Sequence, residues 1–149
     1  MYLRRMGTVL GAAALTVLTV PANAHAASVV CGGGASTGRV AVNGCISAER
    51  KWIEVVSYRD VTAYVKLRNV GTRALNVAYE AYLRTNGGEW KKLSNSRTTV
   101  GAGQTVGPVE AGNKTAPCNA GKIEIRVRAQ VSGAAWSGWS SAATKQCQT

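Results

Sequence analysis

The chain has 149 residues, with 18 Lys and Arg against seven Asp and Glu, and a net charge of +11. Charge of that size attracts anionic polymers and surfaces whatever the fold. A single histidine, His25, excludes Ser-His-Asp and Cys-His catalysis and histidine-rich metal sites.

The N-terminus reads as an export signal. Arg4 and Arg5 precede an uncharged, mostly apolar run, Val9 to Val20, which Pro21 ends. Small residues follow at Ala22-Asn23-Ala24 and Ala24-His25-Ala26, either of which suits cleavage. The run is too short to span a bilayer comfortably. Residues 1–26 are therefore expected to be a signal peptide, with export by the general route favoured over the twin-arginine route. Residues 27–149 are expected to form one secreted domain with no transmembrane segment. Cleavage removes Arg4 and Arg5 but no carboxylate, so the mature chain stays strongly basic.

"CGGGASTG" (31–38) reads as a flexible loop that a bridge at Cys31 would tie down. Asn43-Gly44 and Asn86-Gly87 are turn dipeptides, because both residue types tolerate positive φ. Between the turns lie runs of period two. "VTAYVKLRN" turns Val61, Ala63, Val65 and Leu67 to one face, and Tyr64, Lys66 and Arg68 to the other. "LNVAYEAYLR" does the same with Leu75, Val77, Tyr79, Ala81 and Leu83 opposite Glu80, Tyr82 and Arg84. "GKIEIRVRAQV" sets Ile123, Ile125, Val127, Ala129 and Val131 against Glu124, Arg126, Arg128 and Gln130. Strands recurring about every ten residues, with glycines between them, predict an antiparallel sandwich. With no phenylalanine in the chain, Val, Ile, Leu, Tyr and Trp must fill its core.

Four cysteines in an exported chain read as two disulfides. A hairpin of 122–131 with 139–146, turning near Gly133, brings Cys118 and Cys147 together. The predicted pairing is thus Cys31–Cys45 and Cys118–Cys147.

The stretch "VKLRNVGTRALNVAYEAYL", followed by "VGAGQTV", resembles the bacterial cell-adhesion-related immunoglobulin-type domains, mainly through Asn69-Val70-Gly71-Thr72. Trp136-Ser137-Gly138-Trp139-Ser140 resembles the WSxWS motif of class I cytokine receptors, which lies in a fibronectin type III domain. There the indoles interleave with arginines of the neighbouring strand. The resemblance implies a structural ladder of Arg126, Arg128, Trp136 and Trp139. Together these features lead us to expect an all-β, immunoglobulin- or fibronectin III-like sandwich of about seven to eight strands with two disulfides.

No carboxylate pair stands out by spacing among Asp60 and the glutamates, and no phosphate loop or dinucleotide fingerprint occurs. The chain reads as non-enzymatic, without cofactor or metal. Its expected role is that of a binding or interaction module whose partner is an acidic polymer, the cell wall or a protein. If 61–68 and 75–84 pair, Tyr64, Lys66, Arg68, Tyr82 and Arg84 form one binding patch. The alternative is a secreted inhibitor or toxin acting on one protein target, presenting "LSNSRTTVGAG" around Arg97 as a rigid exposed loop.

Overall fold

The computed structural model describes residues 28–144. The predicted signal peptide and Cys147 lie outside the described residues, and with Cys147 the predicted Cys118–Cys147 pairing. The described chain is all β: β1 (Val30–Cys31), β2 (Ala35–Ser36), β3 (Val40–Ile53), β4 (Val56–Asn69), β5 (Leu75–Thr85), β6 (Lys91–Val100), β7 (Thr105–Pro117), β8 (Ile123–Val131) and β9 (Ser140–Thr144). One sheet runs β1-β3-β4-β7, with β2 also on β3, and the other runs β6-β5-β8-β9. Every pairing between these strands is antiparallel. No helix among the described residues is long and apolar enough to cross a membrane.

The period-two runs define the core. Val61, Ala63, Val65 and Leu67 of β4 are buried together with Val77, Ala81 and Leu83 of β5 and Ile123, Ile125 and Val127 of β8. β8 and β9 form the expected hairpin, with Ile123 opposite Thr144 and Val127 opposite Ser140. Asn86 and Gly87 both take positive φ in the turn after β5, as their residue types suggest.

The N-terminal segment differs from expectation. Asn43-Gly44 is no turn; it lies in the middle of β3, opposite Lys66 and Val65. Gly44 is needed for close approach: a Cβ there would lie 2.9 Å from both Ile125 Cδ1 and the Ser140 carbonyl oxygen. Nor is 31–38 free. Cys31 is opposite Cys45 and bridged to it. The Gly32 N–H donates to the Gly44 carbonyl, Asn43 Nδ2 donates to the Gly32 carbonyl, and Ser140 Oγ donates to the Gly33 carbonyl. The glycine-rich stretch is thereby fastened across the edge between β3 and β9.

A third difference governs the site. β4 and β5 do not pair. They belong to different sheets, so the 70–74 connection is a crossover and not a hairpin. Residues 93–100 of the proposed inhibitory loop lie in β6, where Arg97 is opposite Ala78. Arg97 is exposed, but on an edge strand with fixed register and not at the apex of a loop.

Arg59 breaks the inside-out rule. It occupies an inward position of β4 and is 0% exposed. Its Nη2 donates to the Gly121 carbonyl, while Nε and Nη1 have no partner. Burial lowers its pKa from the ordinary arginine value. A guanidinium with unmet donors and no carboxylate carries its desolvation cost uncompensated. Arg59→Met keeps the stem and removes the charge. It is expected to raise unfolding stability by at least about 1 kcal/mol, read from the urea midpoint at neutral pH.

Candidate functional site

Two polar surfaces face outward, one on each sheet. On the β6-β5-β8-β9 sheet, alternation brings complementary residues directly across from one another: Glu80 faces Arg128, Tyr82 faces Arg126, and Arg84 faces Glu124. Opposite charges and an arginine–tyrosine pair in register favour this alignment over a slipped one. Indoles then enter from the adjoining turns, Trp90 from just before β6, and Trp136 and Trp139 from the β8–β9 connection. The result is a six-membered alternation: Arg84, Trp90, Arg126, Trp139, Arg128, Trp136. Successive guanidinium-to-ring distances are 4.4, 4.3, 4.1, 4.6 and 4.6 Å. Tyr82 stands edge-on to Trp139 at 5.4 Å, with Arg126 5.4 Å from its own ring.

The serines of the motif work inward. Ser137 Oγ accepts from the Ala129 N–H and donates to the Gly138 carbonyl, so it extends β8 where β9 has not yet begun. Ser140 Oγ accepts from the Gly44 N–H of the opposite sheet. The motif therefore sends indoles to the ladder and hydroxyls to the backbone.

Carboxylates pin the ladder. Glu80 accepts from Arg128 at 2.8 Å and Lys92 at 3.0 Å; Glu124 accepts from Arg84 at 2.7 Å and Lys122 at 2.9 Å. Burial pushes the Glu80 carboxyl up, but the Arg128 and Lys92 hydrogen bonds and charges outweigh it and hold it below the usual value. Hydrogen bonds from Arg84 and Lys122 hold Glu124 low as well. Both folded-state values lie below the unfolded one, so their stabilisation is fully present above about pH 4.3. It is lost as pH falls through the folded values. Urea midpoints taken from pH 7 down to pH 3 are expected to fall on the acid side in the wild type, and to fall less in Glu80→Gln.

The interior ring faces of the ladder are already covered by guanidinium groups. Trp139 has Arg126 and Arg128 within 4.1 and 4.6 Å of its ring and is still 37% exposed. Arg126 Nε has no hydrogen-bond partner, and this guanidinium is held by rings and not by a carboxylate. Its pKa is lowered, chiefly by burial.

The predicted binding residues are split. Tyr82 and Arg84 belong to the ladder sheet, whereas Tyr64, Lys66 and Arg68 lie on the outer face of the other sheet, so the five do not converge. What gathers around Lys66 and Arg68 is a different set. Ala41 sits opposite Arg68 and Asn43 opposite Lys66, and Arg39 lies in the bend just before β3, at the same end of the sheet. The Val70 N–H bonds to the Arg39 carbonyl. Arg39 and Arg73 then line one hollow of about 260 Å³ with Gly71, Thr72 and Leu75.

Asn69 builds this end of the molecule. Fully buried, it donates through Nδ2 to the Arg73 carbonyl at 2.7 Å and the Val100 carbonyl at 3.0 Å, and accepts from the Gly71 N–H at 2.8 Å. The Asn-Val-Gly-Thr stretch is thus an asparagine-centred turn that fixes the crossover and presents Arg73. Tyr64 lies farther along the same face, its hydroxyl bonded to Ser47 at 3.3 Å.

Arg39, Lys66, Arg68 and Arg73 are all exposed, and among the described residues none takes part in a salt bridge. The other notable hollow, about 560 Å³, lies on the ladder sheet and includes Asn76, Arg97, Thr99 and Gln130. Its polar groups are largely engaged with one another or the backbone: Thr99 donates to Asn76 at 2.9 Å and Gln130 to the Ala134 carbonyl at 2.7 Å. It is lined by a single cation, Arg97, against two, Arg39 and Arg73, in the Arg39 hollow. Sequence reasoning missed Trp90, Arg39 and Arg73. The two arginines directly flank turn signals, at Thr37-Gly38 and Gly71-Thr72, and pairing 40–53 with 56–69 would have joined those ends.

No group of three or more potential metal-binding side chains occurs among the described residues. No family model matches the chain, and no curated protein matches it.

Proposed function

We propose that the protein is an exported, fibronectin III-like binding module that holds a linear polyanion on the Arg39, Lys66, Arg68 and Arg73 end. The observation that carries this reading is four exposed cations at one end of the sheet, none of them in a salt bridge among the described residues. Such a cluster releases condensed counterions when a polymer of phosphates or carboxylates replaces them. Three of the four are arginines, whose planar forks suit both anion types.

The fold reading draws support from the strand order. Of the seven long strands, β3, β4 and β7 share one sheet and β5, β6, β8 and β9 the other. We read that order as a seven-strand immunoglobulin-type arrangement with its fourth strand carried on the sheet of the third. The ladder next to the WSGWS stretch points the same way. In this reading the ladder stiffens one sheet and leaves the other to bind.

Fluorescence anisotropy with labelled polyphosphate, polyuronate and a neutral glucan tests the proposal. Both polyanions should bind at low salt and the glucan should not. The double variant Arg39→Ser/Arg73→Ser should weaken polyanion binding at least about tenfold, while Lys122→Ser, whose cation is paired with Glu124 on the other sheet, should change it little. Equal affinities for wild type and double variant would refute the assignment.

A further inference from the structure

The β3–β4 hairpin runs past the rest of its sheet. β7 accompanies β4 as far as the Tyr58–Pro117 pair, the Cys118 N–H still bonds to the Ser57 carbonyl, and beyond that β3 and β4 continue alone to Ile53 and Val56. The tip is apolar on both faces and at its apex: Trp52 is 65% exposed, Ile53 55%, Val55 88% and Val56 47%. Ile53 and Val56 face each other across the hairpin, Trp52 faces Ser57, and Val55 stands in the turn. Glu54 turns the chain with φ of 55°, a left-handed position that usually favours Gly or Asn. Behind the apolar tip come Lys51 and Arg50, both exposed. Lys51 is bonded to Asp60 at 2.8 Å; Arg50 is in no salt bridge among the described residues.

We propose that this tip inserts into the interfacial region of an anionic phospholipid bilayer. Three observations select a bilayer over a second copy or another protein. The projection is convex and narrow, and four side chains fall far short of the roughly 800 Å² per partner that a stable protein interface buries. A bilayer needs no complementary surface. The order along the hairpin is apolar apex, then tryptophan, then lysine and arginine, which matches the depth order of hydrocarbon boundary, headgroup level and phosphate. Finally, the chain stays strongly basic without Arg4 and Arg5, which complements an anionic surface. Charge brings the molecule down, and the tip adds the apolar burial that charge alone does not supply.

The site is separate from the Arg39 end, so the two readings fail independently. The test is flotation with phosphatidylglycerol-containing vesicles and with pure phosphatidylcholine vesicles, alongside polyphosphate anisotropy. The wild type should float with the anionic vesicles and bind the zwitterionic ones far less. Val55→Asp and Trp52→Ser should each reduce vesicle partitioning about tenfold or more, yet leave the thermal midpoint and polyphosphate affinity unchanged, since both positions are exposed. Glu54→Gln should strengthen partitioning. Arg39→Ser/Arg73→Ser should retain vesicle binding while losing polyphosphate. Vesicle binding equal in wild type and Val55→Asp would overturn the proposal, because it would mean adsorption by charge alone. So would absence of wild-type binding to the anionic vesicles.

Discussion

Arg126→Ala is expected to destabilise the protein by about 2–4 kcal/mol, given three neighbouring rings at roughly 0.5–2 kcal/mol each when partly desolvated. The residue sits between Trp90 and Trp139 at 4.3 and 4.1 Å, with Tyr82 at 5.4 Å, and no carboxylate shares it among the described residues. Truncation empties the centre of the ladder and leaves two indoles facing a gap. Arg126→Met, which fills the gap without charge, should recover part of the loss and so separate packing from cation–π attraction. Trp139→Ala should also destabilise, and the double variant should lose less than the sum, because both remove the same interaction. Urea unfolding of the four-member cycle reads this out. Strict additivity would mean that the alternation of rings and guanidinium groups is mere adjacency.

Asn69→Ala should be comparably severe, by about 2–4 kcal/mol, as three hydrogen-bond partners lose their match at a fully buried site. The consequence extends beyond stability. Asn69 holds the Arg73 carbonyl and the Gly71 N–H, so its loss frees the crossover that aims Arg73 into the hollow shared with Arg39. Polyphosphate affinity should fall under conditions where the variant is still folded, as judged by its near-ultraviolet circular dichroism. Asn69→Asp keeps the acceptor for Gly71 and loses the two donated bonds. It should destabilise as well, and it should not restore affinity.

The facing of the β4, β5 and β8 side chains was legible in the sequence. Over residues 61–67, 77–83 and 123–131 every second residue is apolar and buried, and period two leaves little choice of face; the inward Arg59 of β4 is the exception. Cys31–Cys45 was legible too, and the structure places it as a direct cross-strand pair. β3 was not legible. Its sequence VAVNGCISAERKWI carries an Asn-Gly that mimics a turn, and only the approach of Ser140 and Ile125 shows why glycine stands there. Strand partnership was hidden as well. A short connection such as 70–74 suits a hairpin or a crossover equally, and the buried Asn69 side chain that fixes the crossover reads in sequence as an ordinary polar turn residue. Missing the crossover is what merged Tyr82 and Arg84 with Lys66 and Arg68. Trp90 escaped notice because it lies outside any alternating run, between the Asn86-Gly87 turn and β6.

The central claim is that the Arg39 end, and not the ladder face, meets the polyanion. Single-stranded DNA is a convenient probe, for which each cation that neutralises a phosphate contributes about −0.7 to the slope of log affinity against log salt. Comparing wild type with Arg39→Ser/Arg68→Ser over a salt series tests the claim most directly. The slope should become shallower by about 1.4, as expected when two phosphates are no longer neutralised, with the unfolding midpoint unchanged. A slope that stays the same would contradict the account, because it would place the bound strand on another face of the protein.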